Sequence, residues 1–288
     1  MFIFILNPTA GNGRAEAVRR EIENEMNARH IAYSFMQTEH PGHATELAAA
    51  AAGNSDCEAV IAVGGDGTAF EVASGLLDSG KPFGIIPAGT GNDFIKSTGT
   101  PKKPMDALAF ILSKKPRPAD VATLNGRMFL NVCGCGFDVT TLDYTIEAKK
   151  RFRGILPYLI GLVRAIAHYK PVPVKLNVNG LELEQDALIC AVANGQFFGG
   201  GIQICPQGTI DDGKLDMVLI DHKPRWMIPF FLLPLLLGQV LKFPFTHHIR
   251  CQHAVIESPG MRVQIDGEIF TMDRAEIQLL PGQLMLYW

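Results

Sequence analysis

The stretch that decides the fold is AVIAVGGDGTAF, residues 59–70. Residues 59–63 form an apolar run typical of a buried parallel strand, and residues 68–77 carry apolar side chains at helical spacing. Glycine in an ordered segment costs roughly 0.5–1 kcal/mol of extra backbone entropy. The three glycines at this strand-to-helix junction therefore need a reason, either a positive φ or the close approach of a ligand to the backbone.

The junction predicts a phosphate-binding cradle, with an ordinary tight turn as the alternative. Unpaired backbone N–H groups at a helix N-terminus attract anions, and ligands of open α/β sheets bind beyond the carboxyl ends of the strands. Neither the dinucleotide fingerprint G-x-G-x-x-G nor the P-loop pattern G-x-x-x-x-G-K-[ST] describes this loop. The Asp66 carboxylate would repel a phosphate unless a cation lay between them, and Mg²⁺ is held in this way by carboxylates and substrate phosphates. We therefore expect a nucleotide and Mg²⁺ here.

The rest of the N-terminal half repeats the strand-helix pattern, with Ala15, Val18, Ile22 and Met26 at helical spacing after the first strand and Met105, Leu108, Ala109 and Leu112 after the fourth. This repetition indicates a doubly wound parallel sheet. Small-residue loops follow the first strand, as Asn7-Pro-Thr-Ala-Gly-Asn-Gly13, and the fourth, as Pro87-Ala-Gly-Thr-Gly-Asn-Asp93. In a parallel sheet these loops meet Gly64-Gly-Asp-Gly-Thr68 at one edge. Thr90, Asn92 and Asp93 would add a hydroxyl, an amide and a carboxylate there, although an Asx-turn or a helix cap explains them equally well.

The pattern changes after residue 118. Two Asn-Gly pairs, at Asn125 and Asn179, separate apolar runs as in β-hairpins, and further short strands follow, among them residues 254–257 and 262–265. Asp266-Gly267 also fits a hairpin turn. They predict an antiparallel sandwich or barrel with helical insertions near residues 141–169 and 225–241. We thus predict an α/β domain over residues 1–118 and a β-sandwich domain over residues 119–288, with the last strand packing back on the first domain.

Composition excludes some classes of function. The 288 residues are 47% hydrophobic and 19% charged, with net charge −3, so we expect packed domains and no nucleic-acid partner. The six cysteines include no C-x-x-C pair and fit reduced thiols in the cytoplasm, and the eight histidines lack convincing zinc spacing. Residues 226–241 are uncharged but shorter than the ~20 of a membrane span, and contain Pro229, Pro234 and Gly238. A buried helix or one at a lipid interface is expected there.

Five motifs resemble, in order, those of the soluble bacterial diacylglycerol kinase-like lipid kinases. They are Asn7-Pro-Thr-Ala-Gly11, Gly64-Gly-Asp-Gly-Thr68, Pro87-Ala-Gly-Thr-Gly-Asn-Asp-Phe94, Asp211-Asp-Gly-Lys-Leu-Asp216 and Asp266-Gly-Glu268. The Gly64-Gly-Asp-Gly-Thr68 motif is shared with NAD kinases, but the combination of the five motifs is more specific and spans essentially the whole chain. The family usually continues that motif with x-N-E, whereas this chain has Ala69-Phe70-Glu71, with Phe70 in place of a polar residue.

The resemblance implies roles for individual residues. It places ATP in a cleft between the two domains and makes Glu268 the proton acceptor, with Asp66 at the catalytic metal and Asp93 and Asp120 in the water network around it. A second, structural metal would be held by Thr209, Asp212 and the backbone carbonyl of Lys214. The nucleotide-binding set comprises Asn7, Thr38, Gly64, Gly65, Asp66, Gly67, Thr68, Glu71, Gly89, Thr90, Asn92 and Asp93.

These expectations define an ATP- and Mg²⁺-dependent cytoplasmic kinase that phosphorylates a hydroxyl of diacylglycerol or a related lipid at the membrane surface. A soluble-substrate kinase of the NAD kinase type and a non-catalytic nucleotide-binding regulator are the alternatives. The basic cluster Lys149-Lys-Arg-Phe-Arg153 and the helix at residues 226–241 would dock the protein peripherally on the inner face of the membrane, unless they are a solvated turn and a core helix. The oligomeric state is open, with a homodimer as one option.

Overall fold

The computed structural model describes residues 1–89, 91–152 and 156–288. The chain divides into two units: the first comprises Met1–Val121 and Leu280–Trp288, and the second Ala122–Leu279. The sequence places this division three residues earlier, at 118/119. The final residues of the chain belong to the first unit, where Leu286 pairs with Phe83.

The first unit alternates strands and helices. In chain order it contains β1 (Phe2–Leu6), α1 (Arg14–Ala28), β2 (Tyr33–Gln37), α2 (His43–Ala52), β3 (Ala59–Gly64), α3 (Asp66–Leu76), β4 (Pro82–Pro87), α4 (Asp93–Thr98), α5 (Pro104–Ser113) and most of β5 (Arg117–Leu124). The strands are parallel in the order β2-β1-β3-β4.

This strand order creates a switch point in the sheet. From β1 the chain crosses to β2 on one side, and then returns to β3 and β4 on the other. Ligands of open α/β sheets bind outside the carboxyl ends of the two strands at such a reversal. In this unit those strands are β1 and β3, which are followed by Asn7 and by Gly65.

Helices cover both faces of the parallel sheet. The apolar positions of α1, which are Ala15, Val18, Ile22 and Met26, pack with α5 and with alternate residues of β1 and β3. The intervening strand residues, such as Ile3 and Val60, are also fully buried and face the opposite side, since side chains alternate along a strand. On α3, Gly75 lies so close to α2 that an added Cβ would come within 2.8 Å of the Ala48 side chain.

The second unit is mainly antiparallel. It contains β6 (Arg127–Phe129), β7 (Val132–Gly136), α6 (Phe137–Lys149), α7 (Leu156–His168), β8 (Val172–Val178), β9 (Leu181–Ala193), β10 (Phe197–Phe198), β11 (Ile202–Gln203), β12 (Leu215–Asp221), α8 (Ile228–Leu236), β13 (Thr246–Cys251), β14 (His253–Ile265) and most of β15 (Glu268–Leu286). Its main sheet has the order β13-β12-β9-β7-β14-β15, and β8 pairs with both β9 and β14.

The sheet of the second unit separates two apolar clusters. Cys133 and Cys190 face an interior filled by strand side chains, as in a β-sandwich. Val132 and Ile189 face the other side, where they pack with Ala165 of α7 and Leu235 of α8. The predicted fold class is confirmed: a doubly wound α/β unit and an antiparallel β-sandwich unit.

Three hairpins have the turn chemistry that the sequence indicates. Asn125 and Gly126 adopt φ values of 49° and 81°, and Asn179 and Gly180 adopt 54° and 81°. Asp266 and Gly267 connect β14 to β15 with φ values of 46° and 92°. Two consecutive positive φ values are the signature of a type I′ turn, which matches the twist of the strands it joins.

Two local predictions were wrong. Within the predicted apolar face of α5, Ala109 is exposed, whereas Leu108 is buried and Met105 and Leu112 pack partly buried against the core. The helix also buries Ala107 and Ile111, which were not predicted. Residues 254–257 and 262–265 were predicted as separate strands, yet both belong to β14, because Ser258, Pro259 and Gly260 form a bulge where the pairing with β15 shifts register.

Residues 225–242 form a broken, partly buried helical segment. Short 3₁₀ turns at Arg225–Met227 and Val240–Lys242 flank α8. Ile228, Leu235 and Val240 are buried, whereas the Trp226 and Phe230 side chains are 71% and 70% exposed. Within the described residues, no helix has both the length and the apolar character that a membrane crossing requires.

Candidate functional site

The carboxyl ends of the parallel strands carry the predicted nucleotide-binding residues of the first unit. The Asn7 side chain, directly after β1, donates a hydrogen bond from Nδ2 to Thr68 Oγ1 at 3.2 Å. The amide nitrogens of Ala88 and Gly89, after β4, donate to the Gly64 carbonyl at 2.8 and 3.1 Å. The three loops that the sequence places at one edge are therefore joined by hydrogen bonds.

The three glycines of the β3–α3 junction have different reasons to be glycine. None of them has a positive φ. A Cβ at Gly64 would lie 2.4 Å from Thr68 Oγ1, and one at Gly65 would lie 3.4 Å from the Gly89 Cα. A Cβ at Gly67 would meet nothing within 4 Å, and this residue is exposed at the first turn of α3. Packing therefore requires glycine at position 64. Neither packing nor backbone conformation requires it at Gly65, where the added Cβ would make an ordinary contact, or at Gly67, where the backbone is open to a ligand.

Asp66 opens α3 in a partly buried position. Its Oδ1 accepts a hydrogen bond from the Phe94 amide nitrogen at 3.2 Å. Burial raises the pKa of the Asp66 carboxyl above its ordinary value, the Phe94 N–H opposes this rise, and the nearby Asp93 carboxylate adds to it. Because burial and a like charge both disfavour the ionised form, a cation bound beside Asp66 would relieve an existing electrostatic cost.

The other predicted nucleotide-binding residues of this unit have varied surroundings. Thr38, after β2, lies at the same edge, and its amide nitrogen donates to the Leu6 carbonyl at 2.9 Å. Asn92 Nδ2 donates to the Gly89 carbonyl at 3.0 Å, which braces the loop. Among the described residues its side chain makes no capping hydrogen bond to α4, so the helix-cap alternative is not supported. Asp93 pairs with Lys96 at 2.6 Å. Thr90 lies outside the described residues.

Two acidic residues of the first unit already serve as hydrogen-bond acceptors for backbone groups. Glu71 of α3 accepts from the amide nitrogens of Gly42 and Ala44 at 2.9 and 3.1 Å, and so caps the N-terminus of α2. Asp120 is buried and accepts from the Gly282 amide at 2.8 Å. Both contacts stabilise the fold, and the nucleotide role of Glu71 and the water-network role of Asp120 stay predictions.

The predicted base of the second unit lies just after a rigid turn. Asp266 accepts hydrogen bonds from the amides of Leu130, Asn131 and Val132 at 2.7, 3.0 and 3.0 Å. Glu268, two residues later, is exposed and forms an ion pair with Arg127. The motif predicts Asp266 but not its three hydrogen bonds. No local pattern predicts Arg127, because the long-range pairing of β5 with β6 and β15 brings that residue to Glu268.

The predicted structural-metal residues lie in a surface loop before β12. Asp212 Oδ1 accepts from the Lys214 amide at 3.1 Å, and its other oxygen pairs with Arg250. Thr209 is exposed. A cation held by Asp212 would have to displace the Arg250 guanidinium, so these contacts do not favour a metal at this position, which stays a prediction.

A different group of possible metal ligands lies behind that loop. Within the described residues, ligand atoms of Cys205, Asp216 and His248 lie within 4.8 Å of one another. His248 Nε2 is already 2.6 Å from Asp216 Oδ1, and burial raises the pKa of the Cys205 thiol to about 12, with a further rise from Asp216. A protonated thiol is a poor metal ligand. The contact between His248 and Asp216 involves two of the three side chains, and the structural role expected for the histidines stays a prediction.

Asp66 fits a metal better than these groups do. It offers a partly buried carboxylate with a raised pKa, a second carboxylate at Asp93 nearby, and free space over Gly67 on the same helical turn. Mg²⁺ is commonly bound by one or two carboxylates together with phosphate oxygens and water. The residues around Asp66 are thus suited to hold Mg²⁺ together with a polyphosphate.

Fold and site together define a class of protein. An α/β unit with a glycine-rich strand-to-helix junction, joined in one chain to an antiparallel β-sandwich, is the organisation that the resemblance to these kinases implies. Residues 1–124 match the family model of the diacylglycerol kinase catalytic domain, and residues 131–288 match that of the YegS C-terminal NAD kinase beta sandwich-like domain.

Individual relatives agree with these matches. A Klebsiella pneumoniae protein described as a probable lipid kinase YegS-like is 34% identical, over 98% of this chain and 94% of its own length. A Chromohalobacter salexigens protein of the same description is 31% identical over 79% of this chain and 75% of its own. The crystal structure of a diacylglycerol kinase from Bacillus anthracis superposes with a TM-score of 0.77 at 26% identity, covering 100% of this chain and 96% of that one. The chain belongs to the diacylglycerol kinase-like family of lipid kinases.

Proposed function

We propose that this protein transfers the γ-phosphate of ATP, with Mg²⁺, to a hydroxyl of diacylglycerol or a related membrane lipid. The observation that carries the proposal is Asp66, a partly buried carboxylate of raised pKa beside the unobstructed backbone of Gly67. The relatives described as lipid kinases support a lipid acceptor over the soluble substrate of an NAD kinase.

The first unit binds and orients the phosphates. Backbone N–H groups in the first turn of α3 face the phosphate oxygens, and Gly67 lets them approach because no side chain intervenes. Asp66 holds the metal, and the Phe94 amide fixes the orientation of its carboxylate. When bound, Mg²⁺ neutralises phosphate charge, which with positioning supplies most of the rate of phosphoryl transfer.

In the second unit Glu268 accepts the proton of the lipid hydroxyl. A positioned carboxylate base contributes typically 10²–10⁴-fold. The three hydrogen bonds to Asp266 hold the turn before Glu268, so Asp266 is a positioning residue. Arg127 pairs with Glu268 in this structure and stacks 4.5 Å above the Phe270 ring. The acceptor hydroxyl must compete with Arg127 for the Glu268 carboxylate.

The helical side of the second unit docks on the inner face of the membrane. Trp226, Phe230 and Leu237 around α8 are 71%, 70% and 59% exposed, and Val163 of α7 is 66% exposed. Exposed apolar side chains with basic neighbours favour an anionic lipid surface. Lys149, Lys150 and Arg151 are the exposed basic residues of the predicted cluster. Its last member, Arg153, lies outside the described residues.

The test is turnover of labelled ATP in the presence of Mg²⁺ and vesicles that contain candidate lipids. Asp66→Asn should abolish phosphoryl transfer, and Glu268→Gln should lower turnover by about 10²-fold or more with little change in ATP affinity. Asp106→Asn is the matched control, because Asp106 is exposed in the first turn of α5 and loses the same charge. Full activity of Asp66→Asn, or no lipid phosphorylation by the unmodified protein, would overturn the proposal.

A further inference from the structure

Three side chains of different chemistry meet near the β13 edge of the sheet in the second unit. They are Cys205, which follows β11, Asp216 of β12 and His248 of β13. One possible ligand atom from each lies within 4.8 Å of the other two. None of the three is among the residues proposed for phosphoryl transfer or predicted for the structural metal. The group therefore needs an explanation of its own.

Strand pairing fixes the positions of Asp216 and His248. β12 and β13 are antiparallel, with Arg250 opposite Asp216 and Val218 opposite His248. Asp216 and His248 are thus diagonal neighbours on one face of the sheet, a separation that long side chains bridge. His248 Nε2 lies 2.6 Å from Asp216 Oδ1.

Backbone contacts hold Cys205 on the same face. Its amide nitrogen donates to the Gln196 carbonyl at 3.3 Å, and its carbonyl accepts from the Gly208 amide at 3.2 Å. The Cys205 side chain packs in the apolar cluster that includes Val218, and Val218 faces the same way as Asp216 because side chains alternate along a strand. The thiol is therefore fixed by the fold beside the carboxylate.

The Asp216 carboxylate is buried with one oxygen unsatisfied. Its side chain is 2% exposed, and within the described part of the chain Oδ2 has no hydrogen-bond partner. Buried polar atoms in native proteins are nearly always paired. The hydrogen bond between Asp216 Oδ1 and His248 leaves Oδ2 unexplained, whereas a cation bound by the carboxylate would satisfy it.

A sulfur, a nitrogen and an oxygen donor together suit Zn²⁺. Mg²⁺ prefers oxygen ligands, such as those around Asp66, whereas zinc binds thiolate, imidazole and carboxylate groups at about 2.0–2.3 Å. Tetrahedral ligand atoms at these bond lengths lie roughly 3–4 Å apart, so the three atoms need to move by only about 1 Å. Three protein ligands leave the fourth position to water.

Charge and access also favour zinc at this position. The Cys205 thiolate and the Asp216 carboxylate balance the two charges of the ion, while the nearby Arg250 guanidinium pairs with Asp212. Burial raises the pKa of the free Cys205 thiol, but a thiol that coordinates a metal is deprotonated outright, and its proton passes to solvent. The His248 side chain is 21% exposed, which gives the ion a route from solvent.

We propose that Cys205, Asp216 and His248 bind Zn²⁺ through the thiolate, a carboxylate oxygen and an imidazole nitrogen. The ion fastens the loop between Cys205 and β12 to the paired strands β12 and β13. This loop carries Thr209 and Asp212, and the zinc ligands differ from them in both position and chemistry. The zinc site is separate from Asp66 and needs no nucleotide.

Cobalt substitution tests the site directly. Co²⁺ bound to a thiolate gives a charge-transfer absorption in the near ultraviolet, which oxygen ligands such as those of Asp66 do not give. Protein stripped of metal by a chelator should show this band with Co²⁺ and lose it when Zn²⁺, but not excess Mg²⁺, is added. Cys205→Ser should abolish the band. Cys57→Ser is the matched control and should keep it, because Cys57 is a buried cysteine of the first unit.

His248→Gln tests a second ligand at a partly exposed position. Residues that merely support a metal ligand contribute about 10–100-fold to metal affinity, so loss of the ligand itself should weaken Zn²⁺ binding at least about 100-fold. Competition with a chromophoric chelator measures this affinity. Asp212→Asn should keep the cobalt band, since Asp212 is not a ligand of the proposed site.

Three results would overturn the proposal: no charge-transfer band in the unmodified protein, a band that survives in Cys205→Ser, or unchanged Zn²⁺ affinity in His248→Gln. Loss of the band in Asp212→Asn alone would place the ion in the surface loop instead. Urea unfolding without metal shows whether each variant is folded, and His248→Gln still decides the question if Cys205→Ser does not fold. Kinase activity is not measured, so failure here leaves the proposed function intact.

Discussion

Replacing Gly67 by alanine should make the protein more stable and less active. The backbone of Gly67 is in the first turn of α3 with no positive φ, and an added Cβ would meet nothing within 4 Å. Alanine at such a position reduces the entropy of the unfolded chain and stabilises by about 0.4–1 kcal/mol. The same methyl group would occupy the space through which we propose that phosphate approaches the backbone.

A displacement of about 1 Å at a reacting group costs on the order of 10²-fold in rate, so Gly67→Ala should lower kcat/KM for ATP by about 10- to 100-fold. Denaturant unfolding and ATP-dependent kinetics measure the two effects on one preparation. Gly53→Ala is the matched control: Gly53 has φ −72°, its added Cβ would make an ordinary contact of 3.5 Å with the Ala50 carbonyl oxygen, and it caps the distant end of α2. It should leave the kinetics unchanged. A Gly67→Ala variant with unaltered ATP kinetics would show that no ligand approaches this glycine.

Three other perturbations test the second unit. The folded-state pKa of Asp138, raised by burial to about 6, lies above the ordinary 3.8, so the ionised form opposes folding. The free energy of unfolding should therefore fall as pH rises from about 4 to 6. Asp138→Asn should remove this fall in urea titrations and raise the free energy of unfolding by about 2–3 kcal/mol at pH 7. Asp266→Ala should cost about 2–3 kcal/mol, because three amides lose a charged acceptor, and a cost below about 0.5 kcal/mol would contradict the positioning role. The double variant Trp226→Ser, Phe230→Ser should bind anionic vesicles at least tenfold more weakly in a sedimentation assay, without loss of activity on a short-chain acceptor. Unchanged sedimentation would place the membrane contact elsewhere.

Much of the fold follows from local sequence pattern. The four buried positions of α1 are those that helical spacing predicts, and Asn125-Gly126 and Asn179-Gly180 form the turns that their residue types favour. The face of α5 was less certain because alanine fits both a core and a surface, so that Ala109 could not be told from Ala107. Pro259 and Gly260 resemble a strand end in sequence, but the pairing of β14 with β15 resumes beyond them as a bulge.

The candidate site likewise contains residues that a local motif predicts and residues that only the fold brings together. Asp66 and its glycines are contiguous in sequence, so a motif predicts them together. Arg127 and Glu268 are far apart in the chain and form an ion pair only because β5 pairs with both β6 and β15. No local pattern records that pairing, nor does a motif reveal that Glu71 is used to cap α2.

The central claim is that Asp66 holds a divalent cation against the phosphates of a bound nucleotide. Mn²⁺ can replace Mg²⁺ as an electron paramagnetic probe, and its binding in the presence of a non-hydrolysable ATP analogue is a direct measurement of this site. The account predicts that the unmodified protein and Asp106→Asn retain Mn²⁺, that Asp66→Asn does not, and that affinity in the unmodified protein falls as pH drops toward the raised pKa of Asp66. Undiminished Mn²⁺ binding by Asp66→Asn would contradict it.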